Sequence, residues 1–220
     1  MYIKLSYNLS RATPVYVGGP PVKIRQESNI EHGDTSNVFC IEVVNHTGTH
    51  VDAPRHFSVN GKKISEIDIE NFFFQKPVCV DLPKNESELI TSTDLEPYAL
   101  EIAKADFLLI KTGFAKYRNT DMERYCHKNP GFSVEAARYL INNFGNLRAM
   151  GMDTISFAAT RYPEEGIEAH KILLNNPEKP LLLVEDLNLE FPLKKIKRVM
   201  VIPLFVEEFD SSFCTVIAEI

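Results

Sequence analysis

The sequence predicts an α/β fold, and three observations carry that reading. Short apolar runs at 78–82, 107–111, 147–152 and 181–185 are rich in Val, Ile, Leu and Phe and are bounded by Pro, Gly or charged residues, the pattern of buried strands. Between them lie stretches with helix-start chemistry. Thr93, Asp94 and Pro97 open one over 93–105, and Ser133 caps another that puts Val134, Ala137, Leu140, Ile141 and Phe144 on one face and stops at Gly145. A chain of 220 residues suffices for one well-buried core and is short for two, so a single domain over 1–220 is expected. No repeat, low-complexity tract or linker divides it.

The remaining segments follow in order. Residues 2–9 alternate weakly and suit a strand; residues 13–22 hold Pro14, Gly18, Gly19, Pro20 and Pro21 and can only be a loop. Tyr16 beside the Gly pair makes that loop a candidate flap over a ligand, the plainer alternative being a surface connection. Residues 27–37 are polar, with His32 in an exposed turn, and the apolar run 38–44 reads as a strand. Ile64, Ile67 and Ile69 lead into a Phe72-Phe73-Phe74 run expected in the core. The polar and aromatic stretch 117–130, with a solvated His127, is expected to cover one edge as irregular or partly helical chain. Asp153 to Ser156 falls at the carboxyl end of the 147–152 strand, where α/β sheets tend to place functional groups. Strands at 198–203 and 214–220 close the chain.

Composition excludes several function classes. A net charge of -6 and a pI near 5.6 give no reason to expect nucleic acid or an anionic membrane, which leaves small molecules as the natural ligands. Cys40, Cys79, Cys126 and Cys214 are widely spaced without a CxxC pair and read as reduced, mostly core thiols. The N-terminus lacks the apolar stretch of a signal peptide, and no run approaches the ~18 apolar residues of a membrane span, so a cytoplasmic protein is expected.

Chemistry concentrates between His46 and Phe57. His46, His50, Asp52 and His56 fall within eleven positions, and Gly48 and Pro54 argue against one continuous helix there. In an extended segment residues two apart point the same way, so His50, Asp52 and His56 share a side. Imidazole nitrogen and carboxylate oxygen suit zinc or manganese, and the two oxygens of Asp52 allow it to bridge two ions.

The stretch His46-Thr47-Gly48-Thr49-His50-Val51-Asp52-Ala53-Pro54-Arg55-His56 matches every fixed letter of HxGTHxDxPxH. It resembles the signature of the cyclase family that includes the bacterial metal-dependent kynurenine formamidases. The resemblance implies a swivelling β/β/α fold with a mixed sheet core, a site of one or two divalent ions, zinc or else manganese, and hydrolysis of small amides and related acyl compounds. It also implies that His46, His50 and Asp52 bind metal, that His56 serves acid/base chemistry, and that the protein is a homodimer or homotetramer. Elsewhere the family carries an alanine-histidine before a leucine pair and then a strand ending in glutamate, both ligands; the matching residues are His170 and Glu185. From the residues alone, a glutamate ending so apolar a strand needs an ion partner or a metal to be tolerated.

The resemblance also has departures. Lys111 stands where an arginine is usual, the interval 175–180 is slightly longer, and Ser156-Phe157-Ala158 lacks the carboxylate that formamidases tend to have at its third position. The reading is therefore a hydrolase of a small amide, an aryl formamide such as N-formylkynurenine on the route of tryptophan catabolism, acting through metal-activated water. The alternatives are opening of a cyclic amide or lactone, as in isatin-hydrolase relatives, and a metal-binding module without catalysis. Two ions would be shared as His46, His50 and Asp52 for one and Asp52, His170 and Glu185 for the other. No GxSxG elbow supplies a rival nucleophile.

Overall fold

The computed structural model describes residues 1–176, 179–191 and 196–220. Among these the strands are β1 (Tyr2–Lys4), β2 (Lys23–Ser28), β3 (Val38–Glu42), β4 (His50–Asp52), β5 (Phe73–Phe74), β6 (Pro77–Asp81), β7 (Leu89–Ile90), β8 (Phe107–Lys111), β9 (Gly131–Phe132), β10 (Ala149–Met152), β11 (Leu182–Glu185), β12 (Arg198–Pro203) and β13 (Ser211–Glu219). The α-helices are α1 (Ser92–Leu95), α2 (Ala99–Ile102), α3 (Met122–His127), α4 (Val134–Asn143) and α5 (Pro163–Leu174). Part of the 175–180 interval, residues 177–178, lies outside the described residues.

One mixed sheet runs in the order β5-β12-β13-β4-β11-β10-β8-β6, with β1 added on β13. Its β6, β8, β10 and β11 pair in parallel, and the rest pair antiparallel. Alternation along the parallel strands divides their side chains between two cores. Leu108, Ile110, Met150, Met152 and Leu183 face α4 and α5 through Ala136, Ala137, Leu140, Ala169 and Leu173. Phe107, Leu109, Ala149, Leu182 and Val184 meet Phe72, Phe74, Val199, Val201, Val216 and Ala218 instead. Strands buried on both faces have no polar side, which is why these runs are continuously apolar. The result is a sheet half packed on a sheet half with helices beyond, the mixed α/β layering expected from the sequence. Strand β4 joins the halves, antiparallel to β11 on one side and to β13 on the other, so its two ligand-type residues stand at the seam.

Several elements depart from expectation. The 93–105 helix is broken into α1, a 3₁₀ turn over Glu96–Tyr98 and α2, because Pro97 interrupts it, and its true cap is Thr91 with Asp94 in a reciprocal capping box. The apolar run at 38–44 does form β3, but with β2 it makes a separate two-stranded ribbon in which every β3 residue is exposed. The 2–9 strand stops at Lys4, with one isolated bridge from Ser6 to Leu187. The 78–82 strand lies at the sheet edge and is half-buried. Helix α5, which carries His170, had no helix assigned from the sequence. Ser133 caps α4 as expected, accepting from the Ala136 N–H, and 117–130 is partly helical with Tyr125 fully buried. Cys126 is buried, Cys79 and Cys214 are half-buried, and Cys40 is exposed on the ribbon. No helix among the described residues is long and apolar enough to cross a membrane.

Candidate metal centre

The seam strand β4 presents His50 and Asp52; the 3₁₀ turn Pro54–His56, opened by Pro54, brings His56 back toward them, and His46 approaches from the turn before β4. Gly48 lies between in the left-handed region (φ 68°), a conformation that favours glycine, and this lets the chain double back so tightly. Opposite, β11 ends at Glu185, in register with His50, and α5 projects His170. All six residues read from the sequence therefore meet in one place, from segments more than a hundred positions apart.

Two groupings of ligand atoms share Asp52: His46, Asp52 and His56, and His50, Asp52 and Glu185. His170 Nε2 lies 3.2 Å from Glu185 Oε1 and His50 Nε2 lies 3.3 Å from Glu185 Oε2, so Glu185 spans both rings. In the pairing read from the sequence, His46, His50 and Asp52 hold one ion and Asp52, His170 and Glu185 the other; Asp52 is common to both arrangements.

Hydrogen bonding sets the rings. His50 Nδ1 is 2.8 Å from the Gly48 carbonyl, and His170 Nδ1 is 2.7 Å from the Gly166 carbonyl. A carbonyl oxygen only accepts, so each Nδ1 carries the proton and each Nε2 turns its lone pair into the site. There it faces carboxylate oxygens: besides the Glu185 contacts, His50 Nε2 is 3.6 Å from Asp52 Oδ1. Lone pair against carboxylate repels unless a cation or a further proton lies between. His50 Nε2 and Asp52 Oδ1 are moreover buried atoms with no hydrogen-bond partner among the described residues. These donors fit a divalent cation in type, in orientation and in charge.

The electrostatics express the same imbalance. Burial opposes ionisation of Asp52, yet the His50 and His46 rings outweigh it and hold its carboxyl below the usual range. Burial likewise opposes ionisation of Glu185, yet the facing His170 and His50 rings outweigh it and lower its carboxyl to about 2. The imidazoles respond in the opposite sense: burial disfavours the His46 cation, but Asp52 and Asp210 raise its pKa to about 10, and His50 and His170 are raised too. The site draws positive charge, whether protons or metal.

Asp210 was missed in the sequence. Its Oδ2 is 3.0 Å from His46 Nε2 and 2.8 Å from His56 Nδ1, while Oδ1 accepts from Asn45 Nδ2 at 2.7 Å. Nothing local marks it: it follows Glu207 and Glu208 in an acidic turn ahead of β13 and reads as a surface carboxylate. The departure at 156–158 also acquires a role, since the Ser156 hydroxyl (3.0 Å) and the Phe157 N–H (2.8 Å) both donate to Glu185 Oε1. Ala158 packs tightly against Gly166 of α5. Asp153 instead binds inward, accepting from Thr112 N, Thr112 Oγ1 and Gly113 N. Tyr16 packs beside Phe114, Tyr125 and Ile155, within electrostatic reach of Glu185. His32 and His127 are exposed, as expected.

Comparison with known proteins agrees with this architecture. An uncharacterized protein of Haemophilus influenzae is 40% identical over 114 residues, covering 52% of this chain and 80% of that protein. A kynurenine formamidase of Geobacillus thermodenitrificans is 28% identical over 144 residues, and the match spans 66% of each chain. Among solved structures, isatin hydrolase A from Labrenzia aggregata superposes with a TM-score of 0.83 at 24% identity, covering 99% of this chain and 93% of that one, a likeness of fold. The family model described as "Putative cyclase" matches residues 3–159, the larger part of the chain and all of the histidine motif. With that match, and with the motif at the seam of a mixed α/β sheet, the chain belongs to the Cyclase family.

Proposed function

We propose that this protein is a metal-dependent hydrolase that cleaves a small amide, an aryl formamide such as N-formylkynurenine, by attack of water. The observation that carries the reading is the pair of buried rings, His50 and His170, whose Nε2 lone pairs face the carboxylates of Asp52 and Glu185. His46, His50, Asp52, His170 and Glu185 would hold one or two divalent ions, zinc first and manganese second by donor type. A bound divalent cation supplies Lewis-acid polarisation of the carbonyl and a more acidic water.

The chain's own part in the reaction centres on His56. Asp210 accepts from its Nδ1, which leaves Nε2 as the basic nitrogen. His56 then takes a proton from the attacking water and returns it to the departing nitrogen, while Asp210 stabilises the imidazolium formed in between. The formamidase relative supports the aryl formamide; ring opening of an isatin-like amide uses the same groups and is the second substrate to try. Chelation should abolish activity and added zinc or manganese should restore it, read on N-formylkynurenine, isatin and simple aryl esters. Full activity in metal-free protein would end the proposal.

The homodimer or homotetramer implied by the family resemblance remains part of this reading. The ribbon supports it: Phe39 and Ile41 lie on one face of β2–β3, 59% and 49% exposed, and a two-stranded ribbon is marginal unless covered. Light scattering should give a multiple of 25.0 kDa that falls in Phe39→Lys; an unchanged mass would remove the ribbon from the contact.

A further inference from the structure

Glu185 is followed by Asp186, a non-glycine residue in the left-handed region (φ 54°). Such a conformation persists only where the surroundings hold it. Here they do so on every side. Arg118 donates from Nε to Oδ1 (2.7 Å) and from Nη2 to Oδ2 (2.6 Å), and the Tyr125 hydroxyl donates to Oδ1 (2.6 Å). The Asp186 N–H donates to the Thr154 carbonyl at 2.8 Å, and the Asp186 carbonyl accepts from the Thr49 hydroxyl at 2.6 Å. Thr49 Oγ1 in turn accepts from the Tyr7 N–H (3.0 Å), and the Tyr7 ring lies 3.8 Å beneath the Arg118 guanidinium. Arg118 is 4% exposed and Asp186 1%.

The place of this network matters more than its strength. Burying an ion pair gains little over apolar packing of the same volume, so the pair needs a reason beyond stability. Asp186 is bonded to Glu185, and Thr49 to His50; Glu185 and His50 are cross-strand partners whose side chains meet at 3.3 Å. A bidentate arginine with a fixed fork resists both sliding and rotation of the carboxylate it grips. Through Thr49 the same grip reaches β4.

We infer that Arg118, Asp186 and Tyr125 are positioning residues: a buried clamp that holds the turn after Glu185 and, through Thr49, fixes His50 opposite it, and so sets the affinity and geometry of the cation site. This rests on the metal-centre reading above. Groups hydrogen-bonded directly to metal ligands are worth about 10–100-fold in affinity, and the clamp, acting one residue further out through the backbone, should reach the lower end of that range.

Titration of the metal-free protein with cobalt(II), read by its visible absorption, tests the clamp without any turnover. Arg118→Lys keeps the charge and loses the fork. Asp186→Gly adopts the turn without strain and loses the clamp, so it separates the two roles of Asp186. Tyr125→Phe removes one donor from a well-packed ring and keeps the fold. Arg118→Lys and Asp186→Gly should bind cobalt about 10-fold more weakly, and all three should shift its absorption. Lys84→Met breaks a remote half-sheltered cluster with Glu88 and Asp94 and should lower Tm alone. Loss of Tm in the three clamp variants with wild-type cobalt affinity and spectrum would show a purely structural role and overturn the inference. Failure of the wild-type protein to bind cobalt would instead remove the metal-centre reading, and the clamp's role with it.

Discussion

Asp210→Asn tests the proton-transfer arrangement most directly. Asn45 Nδ2 donates both to Asp210 Oδ1 (2.7 Å) and to the Ser211 carbonyl (3.1 Å), so its amide is held with the NH2 toward residue 210. An asparagine at 210 must therefore turn its own oxygen to Asn45 and its NH2 to the histidines, because the reverse sets two NH2 groups against each other. That NH2 donates to His56 Nδ1, moves the ring proton to Nε2 and removes the base. Where an orienting aspartate is fully buried, the same exchange costs about 10⁴ in kcat. The Asp210 side chain is 30% exposed, and water relieves part of the loss. A fall of about 10²–10³ follows, about 2.7–4.1 kcal/mol in the barrier. Steady-state kcat on an aryl formamide, with metal content measured on the same samples, provides the assay, and His56→Ala sets the floor. An aryl ester with a good leaving group should suffer less in both variants. At saturating metal the content should stay at the wild-type level in each, although Asp210→Asn also loses its contact to His46 Nε2. An Asp210→Asn kcat within threefold of wild type, or a loss of metal in its place, would refute the assignment of Asp210 to holding His56.

Two further outcomes are expected. His46 has its pKa raised from 6.5 to about 10 in the metal-free fold, so its cation stabilises that fold fully below pH 6.5 and the contribution is lost as pH rises through about 10. A metal taking this ring must displace the proton, so affinity should rise by up to about tenfold per pH unit between pH 7 and 9; chelator competition across that range that stays flat would remove His46 from the ligands. Gly166→Ala places a Cβ 2.3 Å from the Ala158 Cβ, at the close approach of α5 to the loop holding Glu185. The displacement should cost about 1–3 kcal/mol, a drop in Tm of roughly 2–12 °C, and calorimetry giving a wild-type Tm would show that the helix shifts freely.

What the sequence determined by itself was local or periodic. The motif's ligands lie within eleven positions, so a turn chemistry of Gly48 and Pro54 suffices to gather them, and their donor types already speak for a cation. The runs at 107–111 and 181–185 declared strands because both faces are buried and no polar alternation was left to confuse the period. Ser133 declared its helix because an N-cap acts within three residues. Other features were decided by the tertiary structure. Asp210 joins His46 from 164 positions away through the β4–β13 register, and no local pattern encodes a register. The same holds for Arg118, whose partner lies 68 positions on, and for the choice of which Glu185 oxygen meets which ring. The apolar run at 38–44 reads correctly as a strand, but its exposure was not legible, because hydrophobicity reports a need to be covered and does not say by what. Helix α5 escaped because its polar first turn and mixed face show little periodicity, and it is held by packing of Ala169, Leu173 and Leu174 on the sheet. Spacing along a chain fixes which groups are near in sequence; only the closing of β4 between β11 and β13 brings the distant carboxylates to the same few ångströms.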